Sequence, residues 1–445
     1  MRGDGPITSP LRRLLKLGGL VGKVGASLAS TRIATLGRSA AERDERRTGN
    51  LVRNAARIVS TLGELKGAAM KVGQMLSLHD TILPPEVAAV LRGLQKQAPR
   101  IPFEVVQEEL ETQLPEFGRI FFSIEPEAFA AASIGQVHRG VLRDGRRVAV
   151  KVQYPLIERI VEADLANLRR VLQALFKLVT DLDFKPVWGE LRSRLREELD
   201  YLHEADNMRR MASLYVEVPD VLIPRVVDEA TTRTVLTMEY VDGIPPDEAC
   251  SERHDQALKD RWGVVLFDFL LRGLLDHRFL HADPNLANFA FRADGRVVVY
   301  DFGCVKEVPT RLARGYRDVC RAALAGRRDQ IPGALAGMGL GLEGGESLGS
   351  SLLDPYLDLV FDLLREAPPY RFGEDGRVYR RLFDLARANL GSAAEIRFPH
   401  DIVFVNRTVV GHFGNLSRLK AAGPWRERLE HFVGRAPRSG RRVAR

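Results

Sequence analysis

Cysteine is scarce: the chain has 445 residues and three cysteines, Cys250, Cys304 and Cys320, too few and too scattered for a disulfide framework or a zinc knuckle. That scarcity fits a reducing compartment. Long apolar runs are also missing. The nearest candidate, residues 264–275, is interrupted by Asp268 and Arg272 and predicts a buried helix of a globular body, not a membrane span. Acidic residues are nearly absent from both ends. Residues 1–40 carry seven basic side chains and one acidic, and residues 435–445 carry five arginines and no acid, so the formal charge of +8 resides at the termini and the body is net acidic. Such an arrangement suits attraction to an anionic membrane surface or nucleic acid more than a basic binding groove would. With no basic groove indicated, no nucleic-acid partner is expected. For the tail 437–445 a plain solubilising role fits as well.

Residues 10–36 mix Leu, Val and Ile with Arg and Lys, a composition suited to a membrane interface or an organelle-targeting segment. They lack the uninterrupted apolar stretch of a secretory signal. The expected location is cytoplasmic, peripheral on the inner face of the membrane. An apolar content of 45% is enough to bury a substantial core, and the length allows two or three domain-sized units.

Helical spacing dominates from residue 50 to 94, where Leu62, Leu65, Ala69, Val72 and Leu76 recur at three and four. Helices follow at 86–94 and 103–114, the first opened by Pro84 and Pro85. Strand patterns then take over at 129–132, 137–142 and 147–153, with a turn at Asp144-Gly145. Helices are predicted at 157–176 and, as one unbroken element, at 187–211; strands return at 221–227 and 233–240. Beyond Gly243 the chain reads as mostly helical to about residue 433, apart from one hairpin. This order predicts an α+β, bilobal protein-kinase-like fold with an added N-terminal helical extension and a largely helical C-lobe. The expected divisions are a basic N-terminus (1–49), the helical extension (50–125), an N-lobe (126–242), a C-lobe (243–436) and a basic tail (437–445).

The hairpin carries the most informative residues. Asp294-Gly295 is a turn signal between the apolar runs 288–291 and 297–300, with Asn288 and Asp301 equidistant from it. Antiparallel pairing brings both to one end of the ribbon, where an amide oxygen and a carboxylate suit Mg2+ that also takes phosphate oxygens. Asp301 opens an Asp-Phe-Gly tripeptide. Asp283, five residues before Asn288, is placed to orient or deprotonate a nucleophile. In the strand around Lys151, Val148, Val150 and Val152 share one face, which aims the ammonium off the other. Upstream, Ala130, Ala131, Ala132 and Ser133 occupy the place of a phosphate-covering loop, though a Cβ forbids the close backbone approach that glycine allows. A phosphate-contacting lysine needs a carboxylate to hold it, and Glu198, Asp200 and Glu204 are available. On one helix Asp200 and Glu204 would share a face and Glu198 would point away.

Together these residues resemble the UbiB family, also called AarF-like atypical kinase-like proteins and associated with ubiquinone and other isoprenoid-lipid metabolism. The most specific match is Lys71-Val-Gly-Gln74, which is similar to that family's Lys-x-Gly-Gln signature. Leu83-Pro84-Pro85-Glu86, the alanine-rich loop, Val150-Lys151-Val152-Gln153-Tyr154-Pro155 and Glu198-x-Asp200 followed by Glu204 stand in the family's order. The resemblance implies ATP and Mg2+ as ligands, with Lys151 on phosphates and paired to Glu204, Asn288 and Asp301 on the metal, and Asp283 as base. It implies that Glu239 and Val241 border adenine in the inter-lobe hinge, and that Lys71 and Gln74 regulate by approaching Glu198 and Asp200. The function implied is an atypical Mg-ATP-dependent kinase or ATPase at a membrane surface, serving quinone-type lipid metabolism with isoprenoid lipid or lipid-biosynthesis proteins as partners. A nucleotide-binding scaffold with little phosphoryl transfer is the alternative; an antibiotic-kinase-like phosphotransferase leaves Lys71, Gln74, Glu198 and Asp200 without a purpose. The chain departs from the family pattern between Asp283 and Asn288, where Asn285-Leu286-Ala287 replaces His-Pro-Gly.

Overall fold

The computed structural model describes residues 101–132, 134–159, 184–342, 369–373 and 399–434, with isolated positions between these stretches. Lys71, Gln74, Ser133, the helices expected before residue 100, most of the helix expected at 157–176, and the basic tail lie outside the described residues. In chain order the elements used below are helix α1 (Phe103–Gln113), strands β1 (Phe121–Ile124), β2 (Ala130–Ala131), β3 (Gly135–Leu142) and β4 (Arg147–Gln153), and helices α2 (Phe184–Glu198) and α3 (Tyr201–Leu214). They continue with β5 (Val221–Leu222), β6 (Val235–Glu239), α4 (Gln256–Leu271), β7 (Phe279–His281), β8 (Phe289–Phe291), β9 (Val297–Val299) and β10 (Val305–Glu307). Three later helices complete the set: α5 (Thr310–Leu324), α6 (Ile331–Met338) and α7 (His400–Leu419). The mixed helix-and-sheet class expected from the sequence is the class observed.

Two compact units are present, one running up to Ala205 and including Val226–Tyr240, the other formed by Asp206–Arg225 and Val241–Arg445. In the first, an antiparallel sheet has the order β1-β3-β4-β6, with β2 added to β3. Its core is set by alternation: Val148, Val150 and Val152 of β4 bury one face against Val106 and Leu110 of α1, with Phe121, Leu142 and Val235. Thus α1 and β1, which the sequence pattern groups with the helical extension, share this sheet's core. Gly135 is required by the pairing of β3 with β4, because a Cβ there would lie 2.1 Å from the carbonyl oxygen of Val152.

The helix expected at 187–211 is two helices. Asp200 interrupts it: its Oδ1 accepts from the backbone N–H of Leu202 at 3.0 Å, so Asp200 ends one helix and caps the next. The Asp200 carbonyl accepts from the Glu204 N–H at 3.4 Å, so these two stand one turn apart at the start of α3, while Glu198 belongs to α2. The strand expected at 221–227 shrinks to β5, which runs parallel to β9, with Val226 joined to Met238 only by an isolated bridge.

In the second unit α4 is the buried centre, apolar almost all round, with Trp262 fully covered and its Nε1 donating to the Arg292 carbonyl at 2.9 Å. The predicted buried helix at 264–275 is thus found, but regular α geometry stops at Leu271 and a wider π turn follows over Arg272–His277. Arg428, in the helix Trp425–Gly434, donates to Asp268 at 2.8 Å, which accounts for a charge inside that run. None of the described helices is long and apolar enough to cross a membrane. We predict that Gly135→Ala lowers the unfolding free energy by about 1–3 kcal/mol, measured by urea denaturation, since the new methyl group forces β3 and β4 apart.

Candidate functional site

Lys151 lies mid-strand in β4, opposite Val137 on one side and Leu236 on the other. It is not a surface lysine. Its side chain is 11% exposed, and Nζ donates to both carboxylate oxygens of Glu204 at 2.9 and 2.8 Å. Beneath the ammonium lies the ring of Tyr201, 4.9 Å from Nζ to centroid. The start of α3 thus supplies both a carboxylate and an aromatic face to one cation, which offsets the cost of taking the ammonium out of water. Tyr201 does not stand out in the sequence, since an aromatic at helical spacing reads as core.

The alanine-rich segment is a tight hairpin. Ala130 and Ala131 pair with Val137 and Gln136, and the N–H of Ala132 donates to the Gly135 carbonyl at 2.9 Å. Glu239 closes β6, in register with Val148. Glu198 and Asp200 are half-buried where α2 passes into α3, and Asp200 lines an open groove of about 530 Å3 with Arg192, Arg196 and His203.

The second unit gathers the remaining residues through two short antiparallel ribbons. β7 pairs with β10, His281 opposite Val305; β8 pairs with β9, Phe289 opposite Val299. The segments 282–288 and 300–304 therefore connect the same ends of the two ribbons, and Asp283, Asn288 and Asp301 sit on them. The hairpin register differs by one residue from the symmetric expectation. Tyr300, not Asp301, lies opposite Asn288 and donates its N–H to the Asn288 carbonyl at 3.0 Å. The reason is the turn: the Arg292 N–H donates to the Arg296 carbonyl and Gly295 adopts φ +90°, so the loop 293–295 is centred on Asp294 rather than between Asp294 and Gly295.

Asn288 Nδ2 donates to the Asp283 backbone carbonyl at 3.2 Å, so Oδ1 is the amide atom with the chemistry to act as a metal ligand. Asp301 Oδ1 accepts from the Gly303 N–H at 3.0 Å, fixing the carboxylate at the start of its tripeptide. A carboxylate and an amide oxygen fit Mg2+, a hard cation that takes few protein ligands and draws the rest from phosphate and water. Among the described residues there is no cluster of three or more His, Cys, Asp and Glu able to hold a metal without such help.

Between Asp283 and Asn288 the divergent triplet builds its own turn. Asn285 Oδ1 accepts from the Ala287 N–H at 3.1 Å and caps a single 3-10 turn; Leu286 is buried, and the Asn285 N–H donates to Asp283 Oδ1 at 3.2 Å. Without Pro or Gly in that triplet, the loop still closes on a side-chain cap. Three further residues brace the site and carry no clear signal in the sequence. His281 is buried and its Nε2 lies 2.5 Å from the Asp301 carbonyl, while burial pushes its pKa down and keeps the ring neutral. Asn207 Nδ2 donates to the Phe302 carbonyl at 3.1 Å. Tyr300 donates its hydroxyl to the Val241 carbonyl at 2.8 Å. Only a motif tied to a buried neighbour would have exposed the first two.

An ABC1 atypical kinase-like domain model matches residues 93–333, and the chain belongs to that family, the UbiB/AarF group. It is 36% identical over 281 residues to the mitochondrial atypical kinase COQ8B of Rattus norvegicus, covering 62% of this chain and 53% of that protein. To the mitochondrial atypical kinase coq-8 of Caenorhabditis elegans it is 31% identical over 397 residues, covering 85% of this chain and 51% of the other. The chain spans about half the length of the curated relatives it matches. Among solved structures, that of Rv3197 with erythromycin from Mycobacterium tuberculosis aligns with a TM-score of 0.65 at 28% identity, over 88% of this chain and 98% of that one.

Breaking the Lys151–Glu204 pair by Glu204→Ala strands a buried ammonium and is expected to cost about 3–5 kcal/mol of stability, whereas Lys151→Met with Glu204→Leu recovers most of it. Chemical denaturation of the two variants tests this; equal losses would contradict the assignment of a desolvated pair.

Proposed function

We propose that this chain is an atypical Mg-ATP-dependent kinase or ATPase that works at a membrane surface in support of isoprenoid-quinone or related lipid metabolism. The observation that carries the chemistry is the two-ribbon arrangement of Asp283, Asn288 and Asp301. Lys151, held by Glu204 and Tyr201, takes nucleotide phosphate; Asn288 and Asp301 take the metal. Bound Mg2+ supplies charge neutralisation at the transferring phosphoryl group. Asp283, whose carboxylate is oriented by the Asn285 N–H, receives the acceptor's proton, and Glu239 with Val241 borders the base. The names of the relatives support the kinase reading. The lipid pathway rests on the family resemblance, and the membrane surface on the basic N-terminal residues. Lys71 and Gln74 are proposed to act on Glu198 and Asp200 as regulators.

A nucleotide-gated scaffold has one observation in its favour. The Ala132 N–H is committed to the Gly135 carbonyl within the hairpin, so it is not a phosphate donor in this conformation. One assay separates the two readings. Mg2+-dependent ADP formation, followed with and without anionic liposomes, should rise with the liposomes and fall at least about a hundredfold in Asp301→Asn, the scale of losing one electrostatic contact to the transition state. ATP binding with no turnover under either condition would establish the scaffold. Turnover that survives Asp301→Asn would remove the metal role assigned to Asp301.

A further inference from the structure

Helix α7 lies outside the residues 93–333 matched by the family model, yet one face of it touches the loop that carries Asp283. The contact has three parts at helical spacing. Asn415, 5% exposed, donates from Nδ2 to the carbonyl of Pro284 at 2.7 Å. Gly411, one turn earlier, packs directly against the Pro284 ring: a Cβ there would stand 2.2 Å from Pro284 Cγ and 2.7 Å from its Cβ. His412, fully buried, lays its ring 5.9 Å from Phe289 and 6.5 Å from Phe269. His281 packs on the same two phenylalanines from 5.7 and 5.9 Å, so α7 and the ribbon end share one aromatic box.

We propose that α7 is the buttress of the 283–288 loop, with Asn415 a positioning residue that acts through the Pro284 carbonyl. The physical need is local. Pro284 has no N–H to donate, and its buried carbonyl needs a donor; the Asn415 amide supplies one and fixes the peptide that follows. Fixing this peptide sets where Asn285 begins its capped turn, and with it the relation of the Asp283 carboxylate to Asn288. The altered Asn285-Leu286-Ala287 triplet thereby gains from α7 a restraint that it does not carry itself. Gly411 serves the same end sterically, since only a glycine lets the helix come close enough for Asn415 to reach. This inference rests on the phosphoryl-transfer reading for its effect on rate, and on geometry alone for its effect on the loop.

The test uses the full chain with Asn415→Leu, which keeps volume and removes the donor, and Gly411→Ala as an independent variant. Two readouts are taken below the unfolding temperature: kcat and KM for Mg-ATP, and amide hydrogen exchange of residues 281–289. For Asn415→Leu the expected result is a kcat lowered about tenfold with KM changed less than about twofold, because a misplaced reacting group costs turnover more than binding. Exchange should speed up in residues 283–288 in both variants and stay unchanged in β4. If the unmodified protein shows no turnover at all, the catalytic reading falls while the exchange arm still decides the buttress. Loop exchange identical to the unmodified protein in both variants would overturn the proposal, as would a rise in KM that matches the fall in kcat.

Discussion

The candidate chemistry of the second unit depends on one constraint: two ribbons of three residues per strand end at the same place. His281 opposite Val305 and Phe289 opposite Val299 fix where the connecting segments begin, and the connecting segments hold Asp283, Asn288 and Asp301. None of these polar side chains needs to be buried deeply for this to work. The apolar strands are buried, and the polar residues take their places from the register. Neighbouring groups then trim the orientation, with His281 at the Asp301 carbonyl, Asn207 at the Phe302 carbonyl and Asn288 at the Asp283 carbonyl.

Much of this was legible in the sequence for a physical reason. Period-two alternation at Val148, Val150 and Val152 marks the strand and its buried face, and Asp294-Gly295 marks the hairpin, because both signals are local. What failed was also local in appearance but decided elsewhere. A helical period through residues 187–211 concealed the cap at Asp200, since periodicity counts apolar residues and a cap is a single polar one. The hairpin register moved by one residue because Gly295 adopts the left-handed region in a loop centred on Asp294. The contact between Asn415 and Pro284 spans 131 positions, and no spacing rule reaches that far.

Within each unit the candidate residues are held by different physical means. Lys151 and Glu204 form a nearly dry pair over an aromatic ring, an arrangement whose desolvation cost offsets much of its attraction while it fixes where one charge stands. Asp283, Asn288 and Asp301 are half-buried and are held mostly through backbone atoms. The alanine-rich hairpin shares neither arrangement. With Cβ atoms present and the Ala132 N–H committed, it offers less to phosphate than a glycine loop does. The turn built by Asn285 shows how a triplet that itself lacks Pro and Gly can keep a loop closed.

Calorimetric titration of the full chain with ATP, in the presence and absence of Mg2+, tests the central claim most directly when repeated on Asn288→Leu. Tighter binding with Mg2+ that is lost in this variant is the predicted result, because the amide oxygen of Asn288 is proposed to fill one of the metal's two protein-ligand places. Equal affinity with and without Mg2+ in the unmodified protein, or a Mg2+ effect that survives Asn288→Leu intact, would contradict it.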